Sequence, residues 1–523
     1  MLAKLNTATS LGVDPIGITV EVDVTSRGMP RFEIVGLPNK AVEESKYRVR
    51  TALLNSGIEF PTNRKVTVNL APADLPKEGS FCDLPIAVGV MCCTHGFKPP
   101  NKTLFFGEVS FDGSVRHTKG AFLLALYAKS NDFKDVFVPR DCLEEAASVG
   151  GLRVFPVDNL KEILSHLQDE IAIPPSLIDM VSLDKECESF DNDMSEVLGQ
   201  EKAKRSLEIA AAGGHSIFML GPPGTGKTLL SKAFSSILPP LSREEALDVT
   251  RVYSSVGGIP PKGSLITKRP FRSPHHTTSY SGMIGGGSVP KPGEISLAHR
   301  GVLFLDEFPE FSRRVLEALR QPMEEGEVVV SRSTGSFTFP SRFILIASSN
   351  PCPCGFHGYY NDKCVCTPKQ IRSYRKKISG PILDRIDLFV DVPGVSADKL
   401  SGGFREMGRE VGEGSGTDAV PKAEFSLEIR RRVVAARQIQ LKRFESEGIF
   451  ANSEMVNNHV GKYCPLSERV GFLLKKAVSK YDLSARSYFK LIKVARTIAD
   501  LVGSTDIEEI HVAEALQYKS PRL

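Results

Sequence analysis

The sequence predicts an α/β fold, and three observations carry the prediction. Short apolar runs ending in Gly, Asp or Asn alternate with helical stretches over residues 193–395, as parallel strands buried on both faces require. One such run enters a glycine-rich turn at Gly221 and leaves it as a helix. On either side the pattern changes. Residues 1–170 mix period-two strands with helices, and residues 425–523 show helical spacing with few strand signals.

The 523 residues allow roughly three to four domains. The expected division is 1–170, a linker 171–192, the core 193–395, a Gly- and charge-rich flexible linker 396–424, and a helical region 425–523. In the first block, 16–24, 32–35 and 65–70 read as strands, and 41–56, 83–91 and 160–167 as helices. A net charge of +4, from 66 Lys+Arg against 62 Asp+Glu, argues against a bulk electrostatic nucleic-acid binder. It leaves room for a local basic groove. No run reaches the roughly 18 apolar residues of a membrane span, and residues 1–7 lack a secretory h-region. A soluble, cytoplasmic protein with no membrane partner is expected.

The most specific signal is Gly221, Pro222, Pro223, Gly224, Thr225, Gly226, Lys227 and Thr228, a complete G-x-x-x-x-G-K-[ST] loop. An apolar strand at 216–220 precedes it and a helix at 229–237 follows. Glycines let backbone N–H groups close on phosphate oxygens, and the helix N-terminus adds a favourable dipole. Lys227 supplies a point charge to the β/γ-phosphates of ATP, and the Thr228 hydroxyl a ligand for Mg²⁺. The second half of the site is 302–305, four apolar residues delivering Asp306 and Glu307 to the ligand-binding edge of a parallel sheet. Asp306 is expected to hold Mg²⁺, and Glu307 to polarise an attacking water.

With these residues the core resembles an AAA+ ATPase. Phe343 to Asn350 is similar to a sensor-1 strand, placing Asn350 near the γ-phosphate. Gly380 to Leu388 resembles the arginine-finger segment of the magnesium-chelatase and MCM-like clade, so Arg385 would reach a neighbouring subunit's nucleotide. Leu483 to Tyr488 resembles sensor 2, through Arg486. The stretches 272–278, 293–301, 494–500, 36–38 and 72–76 extend the likeness along essentially the whole chain. It resembles the YifB/ComM family of magnesium-chelatase-like AAA+ proteins. The resemblance implies a P-loop AAA+ core, an N-terminal Lon-protease-like (ribosomal S5 domain 2-like) α+β domain and a C-terminal helical lid. It also implies ATP and Mg²⁺ as cofactors and a homo-oligomeric, hexameric ring. For ComM members it implies DNA branch migration in recombination and natural transformation.

In proteolytic Lon relatives a Ser–Lys dyad does the chemistry. Here Phe81 aligns with the nucleophile, flanked by Ser80 and Cys82, and Phe122 with the lysine, close to Lys119. A nucleophile needs its base within hydrogen-bond reach, which Phe cannot supply. A non-proteolytic scaffold is expected, with a Ser80 or Cys82 peptidase as the alternative.

Four of ten cysteines fall at Cys352, Cys354, Cys364 and Cys366. Four thiolates could close a tetrahedral structural Zn²⁺ site, with His357 able to replace one; four metal-free thiols are the alternative. A reducing compartment disfavours two disulfides. Residues 327–332 and 337–339 read as a β-hairpin turning through 333–336. Its position matches the pore hairpin of MCM-like relatives and makes Arg332 a candidate phosphate contact. An insert over 277–293, with Tyr280, three glycines at 285–287 and Lys291, suits a mobile pore loop that stacks on a DNA strand. Packing on a neighbouring subunit is the alternative. His275 and His276 read as a hydrogen-bonded structural pair without a carboxylate partner. A chelatase-type motor and a chaperone-like remodelling ATPase are rivals to a DNA motor. The fused N-terminal domain and the cysteine pairs argue against the chelatase.

Overall fold

The computed structural model describes residues 1–176, 192–259, 265–287, 290–332, 335–395 and 424–520, apart from 74, 76 and 78. The expected linkers 171–192 and 396–424 fall largely outside these residues. The N-terminal block is one seven-stranded sheet in the spatial order Phe32–Val35, Lys65–Ala71, Asp14–Thr25, Leu2–Leu11, Thr103–Phe105, Asp135–Pro139, Arg153–Val157. Period-two patterning explains the long central strand. Ile18, Val20, Val22 and Val24 of Asp14–Thr25 are buried on one face, the alternation a half-covered sheet imposes. The helix Asp83–His95 is buried on nearly every side and packs on the two longest strands.

The core is a five-stranded sheet in the order Phe271–Arg272, Val302–Leu305, Ile344–Ser349, Ile217–Leu220, Leu388–Asp391, with every neighbour parallel. Its central strands are continuous apolar runs because helices cover both faces. The hairpin pairs Glu327–Arg332 with Gly335–Pro340, down to Arg332 opposite Gly335. The second strand therefore begins earlier than the sequence suggests. The insert also contains regular structure that the sequence reading did not specify. Its described part holds a helix Tyr280–Ile284 and a ribbon pairing Gly285–Gly286 with Lys291–Pro292.

The N-terminal sheet is docked onto this core. Its first hairpin turn drives Val13 into the apolar cluster of Val328, Val330 and Phe339. Arg251, on the helix Arg243–Val256, donates to Val13 O at 3.0 Å. Glu145 accepts from Ser254 Oγ at 2.9 Å and from Phe122 N at 3.0 Å. Burial raises the carboxyl of Glu145 above the usual range.

Helices Ser426–Arg443, Asn457–Tyr463, Glu468–Tyr481, Ala485–Leu501 and Glu509–Leu516 complete the described chain. They are held by a buried polar network as well as by apolar packing. Asp500 accepts from Arg443 at 2.6 Å, Arg496 at 3.0 Å and Asn452 at 2.8 Å. His215 links this helix to the sheet, 2.8 Å from Thr497 Oγ1 and 3.1 Å from Asp387. Asp500→Ala strands two guanidiniums, so we expect about 3 kcal/mol of lost stability. Thermal unfolding monitored by circular dichroism would measure it, and an unchanged midpoint would contradict this role for the network.

Candidate ATP site and neighbouring clusters

The phosphate-binding loop leaves the sheet beside its two neighbours' ends. Ile217 pairs with Ile346 on one side and Leu388 on the other, so loops following 220, 305 and 349 open on one edge. Gly224 and Gly226 have φ of +76° and +86°, a region glycine enters without Cβ strain. Lys227 opens the helix Lys227–Ile237 and folds back, donating to Gly221 O at 2.7 Å, Pro222 O at 2.8 Å and Asn350 Oδ1 at 3.2 Å. Burial, which disfavours the charged form, pushes its ammonium down to about 8.

Thr228 Oγ1 donates to Asp306 Oδ2 at 2.9 Å. The other Asp306 oxygen accepts from Glu307 N at 3.0 Å and from Ser348 Oγ. Two hydroxyls and a carboxylate make an oxygen donor set of the kind a hard cation takes. Ser348 escapes sequence reading because it looks like one more residue of a buried strand. Glu307 stands at φ +51°, a left-handed conformation costing about 1–2 kcal/mol for a residue with a Cβ. The turn separates its carboxylate, 55% exposed, from that of Asp306.

The histidine pair does have a carboxylate neighbour, a correction to the sequence reading. His276 Nδ1 lies 3.8 Å from Glu307 Oε2, with the His275 ring 4.1 Å away. His275 is hydrogen-bonded, through Nδ1, to Thr277 Oγ1 at 2.8 Å. The strand Phe271–Arg272 pairs beside Val302–Leu305 and brings the histidines to Glu307, a proximity no local spacing encodes.

Arg385 and Arg486 both pair with Glu324, and among the described residues neither bonds the phosphate-binding loop of its own chain. Arg385 donates to Pro381 O at 2.6 Å and Glu324 Oε2 at 2.5 Å, and Arg486 pairs with Glu324 Oε1. Glu324 gave no sequence signal. The two guanidiniums thus share one carboxylate.

The three residues singled out for DNA lie on neighbouring elements. The guanidinium of Arg332 is 2.7 Å from where a Cβ on Gly286 would stand, and Gly286 is paired with Lys291. Tyr280, 39% exposed, carries the Arg314 guanidinium 4.5 Å over its ring; Arg314 was missed.

In the N-terminal block Phe81 is buried against Phe106, with ring centroids 6.1 Å apart. The cavity beside them and Lys119 is about 60 Å³, room for roughly two waters. Cys82 is fully buried, and burial raises its thiol well above the usual range. Ser80 donates to Glu108. Phe122 is buried in the helix Ala121–Ser130.

Cys352 Sγ lies 3.4 Å from Cys354 Sγ and 3.9 Å from Cys364 Sγ, with 3.7 Å between the latter two. With Cys366, all four sulfurs fall within 4.8 Å of one another, and none forms a disulfide. His357 lies beside this group, its backbone N–H donating to Cys352 Sγ at 3.4 Å. The Phe356 N–H draws the Cys354 thiol down to about 6, toward the thiolate that metals bind.

Among the described residues no helix is long and apolar enough to cross a membrane. Three family models match the chain. They are described as "Magnesium chelatase, subunit ChlI" over residues 193–400, "Subunit ChlI of Mg-chelatase" over 20–142, and "Magnesium chelatase, subunit ChlI C-terminal" over 423–519. The second match covers most of the N-terminal block. "Magnesium-chelatase 38 kDa subunit" of Rhodobacter capsulatus is 27% identical over 30% of this chain and 49% of its own length. "Uncharacterized protein YifB" of Salmonella typhimurium is 40% identical over 99% of this chain and 97% of its own length. "Competence protein ComM" of Haemophilus influenzae is 38% identical with the same coverage. With full-length relatives above the glycine-rich loop and paired carboxylates already described, the chain belongs to the YifB/ComM family of magnesium-chelatase-like AAA+ ATPases.

Proposed function

We propose that this chain is a cytoplasmic AAA+ motor that hydrolyses ATP in a homo-oligomeric, hexameric ring and moves along or remodels DNA, as a helicase or branch-migration enzyme of recombination or natural transformation. The convergence of Lys227, Thr228, Asp306 and Asn350 on one sheet edge carries the reading. The loop from Gly221 to Thr228 would bind the phosphates. Thr228 and Asp306 would hold Mg²⁺, Glu307 and Asn350 would orient water, and Arg385 of a neighbouring subunit with Arg486 would stabilise transition-state charge. Tyr280, Lys291 and Arg332, with Arg314, supply the aromatic and cationic groups that suit a DNA strand. The name of the Haemophilus relative supports a place in competence. Residues 1–170 act as a non-proteolytic Lon-like scaffold, 425–523 as a helical lid, and 171–192 and 396–424 as linkers. The four cysteines take a structural Zn²⁺.

ATP hydrolysis measured alone, with single-stranded DNA, with branched DNA and with a protein substrate tests the reading. We expect stimulation by DNA that falls steeply with salt and is lost in a combined Arg332→Ala, Lys291→Ala variant. Absence of DNA binding at low salt would end it. Stimulation by protein alone would turn it toward remodelling. The match to a magnesium-chelatase subunit keeps a chelatase-type motor as a second reading, which activity without any macromolecule would favour.

A further inference from the structure

We propose that the metal held by the four cysteines shapes the phosphate-binding loop, so that nucleotide binding depends on it; the inference rests on the ATP-site reading above. A tetrahedral site with metal–sulfur bonds of about 2.3 Å has sulfur–sulfur edges of about 3.8 Å. The three separations here are 3.4, 3.9 and 3.7 Å. They are far beyond the roughly 2.05 Å of a disulfide and close to that edge, and the Cys366 sulfur lies within 4.8 Å of the other three, so the cluster suits a thiophilic divalent cation such as Zn²⁺ once Cys366 closes in.

What surrounds the cluster gives the cation a task. Cys352 is buried and stands two residues beyond Asn350, whose side chain accepts from Lys227. On its other flank Gly355, at φ +87°, lies flat on the loop: a Cβ there would fall 2.5 Å from Pro223 Cδ. Tyr359 Oη lies 3.3 Å from Leu220 O, the last residue before the loop, and 3.1 Å from Asp391 Oδ1. The segment from Cys352 to Cys366 is therefore a bracket touching the loop's entry strand, its second proline and the partner of its lysine. Its regular structure is one short turn of helix, Asn361–Lys363, with a few turn hydrogen bonds such as Gly355 N to Cys352 O at 3.0 Å, so a metal joining both ends of the segment would add the cross-link these local bonds do not make. In the metal-free chain Gly355 and Asn350 lose their common anchor, and the loop loses the wall that holds Pro223.

Elemental analysis of the full-length chain should give about one Zn²⁺ per chain. Binding of a fluorescent ATP analogue with Mg²⁺ is then compared in three states: as purified, stripped with a thiol-reactive mercurial and chelator and then desalted under reducing conditions, and after Zn²⁺ is restored. We expect stripping to weaken binding by roughly tenfold or more, equivalent to about 1.4 kcal/mol, and Zn²⁺ to restore it. Tyr359→Phe separates coupling from metal binding, since it keeps all four thiols and the backbone but removes the Oη contacts to Leu220 O and Asp391. It should retain full metal and lose nucleotide affinity. Protein without stoichiometric metal would overturn the site. Unchanged affinity in the stripped protein would overturn the coupling. Lys227→Ala identifies the different failure in which the ATP-site reading itself is wrong, since it would then bind nucleotide like the parent chain.

Discussion

Replacing Glu307 with Gln is expected to leave ATP bound and reduce its hydrolysis by roughly 10²–10⁴-fold, the range of a lost general base. The geometry supports so selective an effect. The backbone N–H of Glu307 is committed to Asp306 at 3.0 Å, and Asp306 is committed to Thr228 at 2.9 Å. The carboxylate of Glu307 is left exposed toward His276. Gln preserves shape and the left-handed turn while removing the charge. Nucleotide binding and phosphate release should therefore separate, with binding near that of the parent chain. Full turnover by Glu307→Gln would remove Glu307 as the base.

Arg385→Ala should lower turnover by roughly 10³–10⁵-fold, the effect of losing an arginine finger, with little change in nucleotide affinity. Among the described residues Arg385 bonds Glu324 and Pro381 and not the phosphate-binding loop. The proposed arginine-finger role therefore requires it to reach another subunit's nucleotide. Mixing decides the point. An Arg385→Ala subunit keeps its own Glu307, and a Glu307→Gln subunit keeps its Arg385. Mixed rings therefore contain interfaces with both groups intact, and should recover activity that neither variant has alone. Failure to complement would place Arg385 in cis or outside catalysis. Glu324 pairs with Arg486 as well, so Arg486→Ala is expected to behave in the same sense.

Much of the core was legible because its signals are local. Continuous apolar runs at 217–220, 302–305 and 344–349, each ending in a residue that cannot continue a buried strand, read as parallel strands and proved to be adjacent. The loop from Gly221 to Thr228 announces itself because only glycine permits its turns at Gly224 and Gly226. The insert at 277–293 was only partly legible: its glycine richness did not reveal the helix Tyr280–Ile284 or the pairing of Gly285, which has no room for a side chain because Lys291 O lies 2.4 Å from its Cβ position. That is the mark of a tightly paired ribbon.

By itself the sequence determined the α/β core, its phosphate-binding loop, the Asp306–Glu307 pair and the grouping of four cysteines. Each of these is written in residues close together in the chain, where periodicity and turn chemistry act. Only the tertiary structure decided that His276 faces Glu307, that Ser348 donates to Asp306, and that Arg385 and Arg486 share Glu324. It alone also brought Gly355 onto Pro223. Those contacts join residues far apart in sequence, and they exist because strand order and the docking of the last helices bring the segments together, which no local pattern encodes.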